Sequence, residues 1–232
     1  MKKIAVCLKP QQINNVDGYS VWNQLPFSVM GVRTLNYAIS IARDMDVELI
    51  AFIMAPMKYA NKIEKLYYWG FSKIVYISDP KIAGADSLGT ATIISRAILK
   101  YDCNAVITGK NSEDSCTGQV PIQIAAALNA VYCTDKAVEL EENKEIDNIV
   151  IAVENNYPEI FPDINSVQNG SKKCLELITL RDLGLENINL KYTDVVRLKQ
   201  VELISSNNQP LSMLPEKVAE IVLKIIEVNN NA

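Results

Sequence analysis

The first 130 residues alternate short apolar runs with longer stretches of helical periodicity, and this alternation limits the fold more than any other feature. Apolar runs too short for helices lie at residues 3–8, 47–54, 73–78 and 104–109. Apolar residues recur at helical spacing in residues 32–43, 86–101 and 119–130, and in a stretch that ends at Trp69, before Gly70. Strands that alternate with helices pair in parallel through right-handed crossovers. The sequence therefore predicts an α/β fold of the doubly wound type, an open parallel sheet with helices on both faces.

Beyond residue 130 the pattern is less regular. Residues 136–141 and 148–154 are two strand-like stretches that predict a small antiparallel β-hairpin at the edge of the sheet. Residues 155–173 are predicted to form a loop. Residues 174–209 show no pattern that assigns a helix or a strand.

A C-terminal helix is predicted after Pro215, because proline suits the first position of a helix. One face of this helix is apolar and carries Val218, Ile221, Val222, Ile225 and Ile226. Such a face needs cover, either from the body of the chain or from a partner. The helix follows a polar stretch, so we expect an α/β domain at residues 1–205 and a C-terminal arm with a helix at residues 206–232.

Composition excludes several kinds of chemistry. The chain contains no histidine, which rules out Ser–His–Asp and Cys–His catalysis and every histidine metal site. The five cysteines are odd in number, and none form a CxxC pair. A disulfide framework or a zinc knuckle is therefore not expected, and reduced thiols in the cytoplasm are. The net charge of −4 argues against a nucleic-acid binder, and no apolar run is long enough to span a membrane. No export signal is visible at the N-terminus.

Three segments follow strands at what should be one edge of the sheet, where open α/β sheets bind ligands. They are the loop that begins at Lys9 and continues to Phe27 and Ser28, the end of the second strand at Met54, and the loop from Gly109 to Gln119. The third segment has glycine near both ends, small hydroxyl residues between them and a helix directly after it. Amides at that helix N-terminus suit a phosphate. The loop is neither a Walker A motif nor GxGxxG, so an ordinary strand–helix connection remains an open alternative.

Other candidates have simpler explanations. Asp86 and Ser87 can cap the following helix, and the adjacent acids Glu113 and Asp114 suit a solvated turn better than acid–base chemistry. The aromatic cluster at 67–69 is more typical of packing than of base stacking. Since no acid, base or nucleophile constellation stands out, the sequence does not predict an enzyme.

A longer set of motifs resembles a known family. It comprises Ser78-Asp79-Pro80, then Gly84-Ala85-Asp86 before a helix, and then the loop from Gly109 to Val120, which reads GKNSEDSCTGQV. The opening KIAVCLKP and the element Leu25-Pro26-Phe27-Ser28 fit the same family. Together they make the chain similar to the beta subunit of electron transfer flavoproteins, well over residues 2–135 and more loosely over residues 171–186.

The resemblance implies a function and its partners. Family members form a heterodimer with an alpha subunit that holds a redox-active FAD, and they shuttle electrons between a dehydrogenase and an acceptor. The beta subunit is an adenine-nucleotide-binding α/β domain that takes AMP or a second FAD. Carried over to this chain, the nucleotide site consists of Cys7, Leu8, Lys9, Pro26, Phe27, Ser28, Met54, Gly109, Lys110, Asn111, Ser112, Asp114, Ser115, Cys116, Thr117, Gly118, Gln119 and Val120.

Roles follow from the chemistry of these groups. Backbone groups at Cys7 and Met54 can pair with an adenine edge. The amides of residues 115–119, with the side chains of Thr117 and Gln119, can hold phosphate. Asp114 can accept a hydrogen bond from a ribose hydroxyl.

The chain also departs from the family pattern. Leu25 and Ser28 replace an asparagine and an acidic residue, and Cys116 replaces the second acid of the loop. Residues 155–173 lack the Pro-Arg-Tyr and Leu-x-x-Ile-Met parts of the loop that docks acyl-CoA dehydrogenases, although Lys172 and Lys173 fit it. We therefore expect a dehydrogenase partner of another type. Two alternatives lie outside the family: a universal-stress-type regulatory protein that binds adenine nucleotide without a redox role, and an adenylating enzyme. The second is disfavoured because no SGGxDS-type loop occurs.

Overall fold

Seven strands of the described residues form one sheet in which every neighbouring pair is parallel. The computed structural model describes residues 2–11, 25–112, 116–137 and 148–190, all within the first of two units of the chain, Met1–Val195. The strands are β1 (Lys2–Leu8), β2 (Val47–Met54), β3 (Lys73–Ile77), β4 (Ala105–Gly109), β5 (Val131–Thr134), β6 (Ile149–Val153) and β7 (Glu176–Ile178). Their spatial order is β5-β6-β4-β1-β2-β3-β7.

Helices cover both faces of this sheet. They are α1 (Val29–Asp44), α2 (Ala60–Ile63), α3 (Ser87–Lys100), α4 (Gln119–Leu128) and α5 (Ile164–Gly170). In β1, Ile4 and Val6 pack on the side of α1, whereas Ala5 and Cys7 pack on the side of α3 and α4. The central strands are buried on both faces, which explains their uniformly apolar sequences. The predicted doubly wound α/β fold is confirmed.

The predicted helix before Gly70 is only partly correct. A single turn of α-helix, α2, lies between 3₁₀ turns at Met57–Tyr59 and Glu64–Trp69. Gly70 ends the segment with a φ of 86°, in the left-handed region that favours glycine.

The predicted β-hairpin is wrong. Strand β6 lies inside the sheet between β4 and β5 and is parallel to both, so neither of its edges is available to an antiparallel partner. The preceding strand is β5, which sequence reasoning missed, and the residues directly after it form a turn. The continuous run Ile149–Val153 is typical of a strand buried on both faces rather than of a hairpin with one wet face. Residues 138–147 lie outside the described part.

The prediction of a loop at residues 155–173 is also wrong, because the short helix α5 lies there. The Asp163 side chain caps it by accepting from the Ser166 N–H at 2.9 Å. The helix has seven residues, most of them polar, so its amphipathic pattern is too short to predict a helix from the sequence. Strand β7 lies in the stretch where no element was assigned. The C-terminal helix and the domain boundary at residue 205 fall outside the described residues and stay predictions.

The order of strands creates a switch point beside β1. From β1 the chain adds β2 and β3 on one side and β4 on the other. The β1–β2 pairing continues to Leu8 and Ile53, whereas the β1–β4 pairing ends at Cys7 and Thr108. At such a switch the connections to the following helices leave on opposite faces and open a crevice at the carboxyl ends of the strands.

Candidate functional site

A cavity of about 460 Å³ lies at this switch point. Its walls come from the ends of β1 and β2, the loop after β4, and the N-terminal turns of α1, α3 and α4. The residues of the predicted nucleotide site that line it are Cys7, Leu8, Lys9, Ser28, Met54, Gly109, Lys110, Asn111, Ser112, Thr117, Gly118, Gln119 and Val120. The three segments chosen from strand order thus meet around one space.

Three predicted residues do not line the cavity. Phe27 is only 1% exposed and packs in the core, where it forms an isolated bridge with Pro10. The carbonyl of Pro26 accepts a hydrogen bond from the Gln11 N–H at 2.8 Å. These two residues fix the start of α1, and Ser28 alone of the Pro26-Phe27-Ser28 element reaches the cavity. Cys116 is exposed and outside the lining. Asp114 and Ser115 lie outside the described residues.

Sequence reasoning missed other lining residues. They are Gln11, Met30, Gly31, Thr34, Ala85, Asp86, Ser87, Thr90, Ile94, Thr108 and Pro121. Those at the start of α3 belong to residues 84–91, a candidate segment for which helix capping is the simpler interpretation from the sequence. Its position directly after the third strand of a parallel sheet was the signal, because that position brings the start of α3 to the same edge as the other loops.

The N-terminus of α4 is the part of the cavity best suited to an anion. Its N-cap residue is Gly118, with a φ of 63°, and a glycine has no side chain with which to cap the helix. By contrast, Ser28 caps α1 and Asp86 caps α3, each by accepting from a first-turn amide, at 3.3 Å from Gly31 and 2.8 Å from Gly89. The N-cap residue of α4 therefore does not compete with a ligand for the first-turn amides and the positive dipole end.

Glycine is required at position 118 for a second reason. A Cβ there would lie 2.8 Å from the Oδ1 atom of Asn111, which is closer than real Cβ contacts. At Gly109 a Cβ would lie 2.8 Å from the Cγ atom of Met30. The lack of a side chain at Gly118 and Gly109 therefore lets Asn111 and Met30 approach the backbone in the cavity wall.

The starts of α3 and α4 are joined across the cavity. The Ser87 hydroxyl donates to the Oε1 atom of Gln119 at 2.9 Å. This bond positions the side-chain amide of Gln119, the first residue of α4, where it can contact a group bound at the helix N-terminus.

An ion pair lies at the rim of the cavity. The Lys110 ammonium contacts the Glu154 carboxylate, and the hydrogen bond between them raises the pKa of Lys110 and lowers the pKa of Glu154. Both groups are therefore charged across the neutral range.

The thiol at the floor of the cavity is inert. Burial raises the pKa of Cys7 far above its ordinary value, so this thiol stays protonated. All five cysteines lie in the described residues, and none of them forms a disulfide. Within the described residues, no cluster of three or more His, Cys, Asp or Glu side chains could hold a metal ion. The described helices include none that is long and apolar enough to cross a membrane.

A second, smaller concavity of about 220 Å³ lies beside α5. We call it the α5 groove; its walls are Ile39, Ala42, Arg43, Val47, Leu49, Tyr68, Trp69, Gly70, Ile160, Phe161, Pro162, Asp163 and Ser166. The Trp69 indole N–H donates to the Ile160 carbonyl at 2.8 Å, and the Arg43 guanidinium donates to the Phe161 carbonyl at 3.1 Å. The aromatic cluster at 67–69 therefore has a structural role, because Trp69 holds the segment before α5 by a hydrogen bond.

Comparison with known proteins gives the same family that the motifs suggested. The family model described as the electron transfer flavoprotein domain matches residues 32–157. A curated relative, the electron transfer flavoprotein subunit beta of Thermoanaerobacterium thermosaccharolyticum, is 27% identical over 177 residues, which cover 68% of each chain. Protein FixA of Sinorhizobium fredii is 29% identical over 105 residues, 43% of this chain and 37% of the relative. On this evidence, the chain belongs to the electron transfer flavoprotein family, in its beta type.

Proposed function

We propose that the chain is the beta subunit of an electron transfer flavoprotein heterodimer and that its switch-point cavity binds AMP or a second FAD. An alpha subunit shares the redox-active FAD, and the pair carries electrons in the cytoplasm between a dehydrogenase and an acceptor. The observation that carries this proposal is the cavity itself. In a chain of this family, the segments that match the family's nucleotide site surround one space that ends at the N-terminus of α4, whose N-cap is a glycine.

The residues of the cavity fit an adenine nucleotide. A volume of about 460 Å³ is in the usual range for small-molecule sites. Cys7, Met54 and Ile94 give the cavity an apolar side suited to a flat base. The amides of α4, with Thr117 and Gln119, supply donors for a phosphate group.

The chain's own residues bind and orient rather than react. FAD, when bound, supplies the electron-carrying chemistry. Because the Cys7 thiol is held neutral by burial, it is not poised to act as a nucleophile toward a bound ligand. A carrier of electrons needs none, so we propose a carrier subunit and not an enzyme.

The proposal predicts nucleotide binding without a metal ion. Calorimetric titration of the full-length chain with AMP, ADP and FAD in the presence of a chelator measures this directly. We expect saturable binding of AMP or FAD at one site per chain. A chain that binds none of them would contradict the proposal.

The partner separates this proposal from the universal-stress alternative. A pull-down from cells that express the tagged chain should recover a larger, flavin-bearing partner. A homodimer that carries ATP would favour the regulatory protein instead.

We also propose that the electron donor is not a standard acyl-CoA dehydrogenase. Docking loops bind through a few buried apolar anchors. Helix α5 offers Ile164, which is 77% exposed, with Phe161 at 58% just before it, and its other residues are mostly polar. A heterodimer reconstituted with FAD should therefore be reduced slowly by such an enzyme. Recovery of the rate when the family's loop is grafted between Asp163 and Lys172 would support this, and fast reduction of the unaltered protein would refute it.

A further inference from the structure

The charged side chains of the cavity wall are few. Among the described lining residues they are Lys9, Lys110 and Asp86. Asp86 is used as the cap of α3, through the bond from Gly89 to its Oδ1 atom. Lys110 follows the last residue of β4 and stands beside the loop that leads to α4, so its charge contributes to the field that a bound phosphate group experiences.

The charge of Lys110 is offset by Glu154, which is not itself a lining residue of the cavity. One carboxylate oxygen of Glu154 contacts the Lys110 ammonium, and the other lies 3.5 Å from the ammonium of Lys136. The Glu154 side chain is only 20% exposed. A partly sheltered charge is screened less by solvent and salt than a surface charge.

The position of Glu154 is fixed by its backbone. Its N–H donates to Asp135 Oδ1 at 3.0 Å, and its carbonyl accepts from the Arg33 guanidinium at 3.4 Å. Asp135 is itself only 7% exposed and also accepts from the Asn155 N–H at 3.0 Å and the Tyr157 hydroxyl at 2.8 Å. This network ties Glu154 to the carboxyl ends of β5 and β6. Its negative charge is therefore a constant part of the electrostatic field at the rim of the cavity.

We propose that Glu154 sets the charge selectivity of the nucleotide site, an inference that rests on the function proposed above. The carboxylate offsets Lys110, so every additional negative charge on a ligand gains less attraction than an uncompensated lysine would supply. AMP and the pyrophosphate diester of FAD each carry about two negative charges near neutral pH, whereas each further terminal phosphate adds about one more. Glu154 therefore favours AMP and FAD over free ADP and ATP.

The test compares affinities for ligands of different charge. The full-length wild-type chain and Glu154→Gln are titrated with AMP, ADP and ATP without magnesium. Removing the carboxylate should lower the ratio of the ATP dissociation constant to the AMP dissociation constant by about tenfold at low salt. High salt should shrink the difference between the two proteins. Glu154→Asp keeps the charge and should keep a ratio near that of the wild type.

A matched control is available at another lysine–glutamate pair. Glu176 is more exposed than Glu154 and contacts Lys73 at 2.9 Å; unlike Lys110, Lys73 does not line the cavity, so Glu176→Gln should leave the ratio unchanged. If Glu154→Gln does not fold, Lys110→Met supplies the test, because losing the cation should raise the ratio. An unchanged ratio in the folded variant, in a chain that still binds AMP, overturns this inference alone. Failure of the wild type to bind any of these nucleotides or FAD overturns the proposed function as well.

Discussion

The switch-point cavity and the α5 groove differ in what their polar groups contact. In the cavity, the N-cap of α4 is Gly118, which has no side chain to bond the first-turn amides, and Gly109 and Gly118 keep the space open. In the groove, the indole of Trp69 and the guanidinium of Arg43 bind carbonyls of the same chain. Polar groups that the fold leaves for a ligand mark a binding site, whereas polar groups that the fold uses itself mark a structural contact.

The apolar residues divide in the same way. Cys7 and Ile94 are buried residues that contribute to the wall of the cavity, whereas Phe161 and Ile164 near the groove point to solvent. The cavity therefore suits a small molecule. The exposed side chains beside the groove enclose no comparable space.

Gly118→Asp should produce the largest separation between the two regions. The new side chain would meet Asn111 and bring a carboxylate to the N-terminus of α4, and the backbone of the aspartate would be strained at a positive φ. We expect nucleotide affinity to fall on the order of a hundredfold, about 3 kcal/mol. Calorimetry with AMP, ADP and FAD on both proteins measures the loss.

Gly184→Asp is the matched control for backbone strain. Gly184 has a φ of 67°, but a Cβ there would meet nothing within 4 Å, and the residue is not in the cavity wall. It should cost stability as Gly118→Asp does and leave nucleotide affinity unchanged. Equal affinity in the wild type and Gly118→Asp would remove the site from this loop.

Trp69→Phe should have the opposite profile. It removes the hydrogen bond to the Ile160 carbonyl and leaves that carbonyl without the indole donor. We expect the free energy of unfolding to fall by about 2 kcal/mol, with nucleotide affinity unchanged. Urea denaturation followed by circular dichroism gives the first quantity and calorimetry the second. A loss of affinity that accompanies the loss of stability would show that the two regions are not independent.

Ser87→Ala should have the smallest effect and sharpen the map of the cavity. It removes the bond that holds the Gln119 amide but leaves the amides of α4 in place. We expect affinity to fall about threefold, close to the net value of one hydrogen bond. Thr92→Ala is the control, because the Thr92 hydroxyl donates to the Leu88 carbonyl on the same helix and Thr92 does not line the cavity. Equal losses in the two variants would show a general effect on α3 rather than a contact at the site.

Local sequence patterns predicted most of the fold, because whether a segment forms a helix or a strand depends largely on residues close to it in the chain. The strands from β1 to β4 are apolar runs bounded by polar or glycine residues, and their succession implies the switch point where the cavity lies. Pairing between distant segments was harder. The continuous apolar run of β6 indicates a strand buried on both faces, but its position between β4 and β5 depends on contacts across the sheet that residues 148–154 do not specify.

The same limit applies to the cavity. The loop from Gly109 to Val120 could be recognised from its own residues. The contribution of α3 could not be recognised from its own residues, because Asp86 and Ser87 match a helix-cap pattern; only the position of α3 after a strand of the sheet indicates that they lie near Gln119. Asp86 is in fact both a cap and a lining residue, and the local pattern shows only the first role.

The number of adenine nucleotides in the assembled protein shows directly whether the switch-point cavity holds one. The complex is purified with its partner, denatured and analysed by chromatography against protein concentration. The account predicts two adenine nucleotides per heterodimer: one FAD from the shared site, and one AMP or a second FAD from the switch-point cavity of this chain. A single adenine nucleotide per heterodimer would contradict it, because the cavity would then be empty in the working protein.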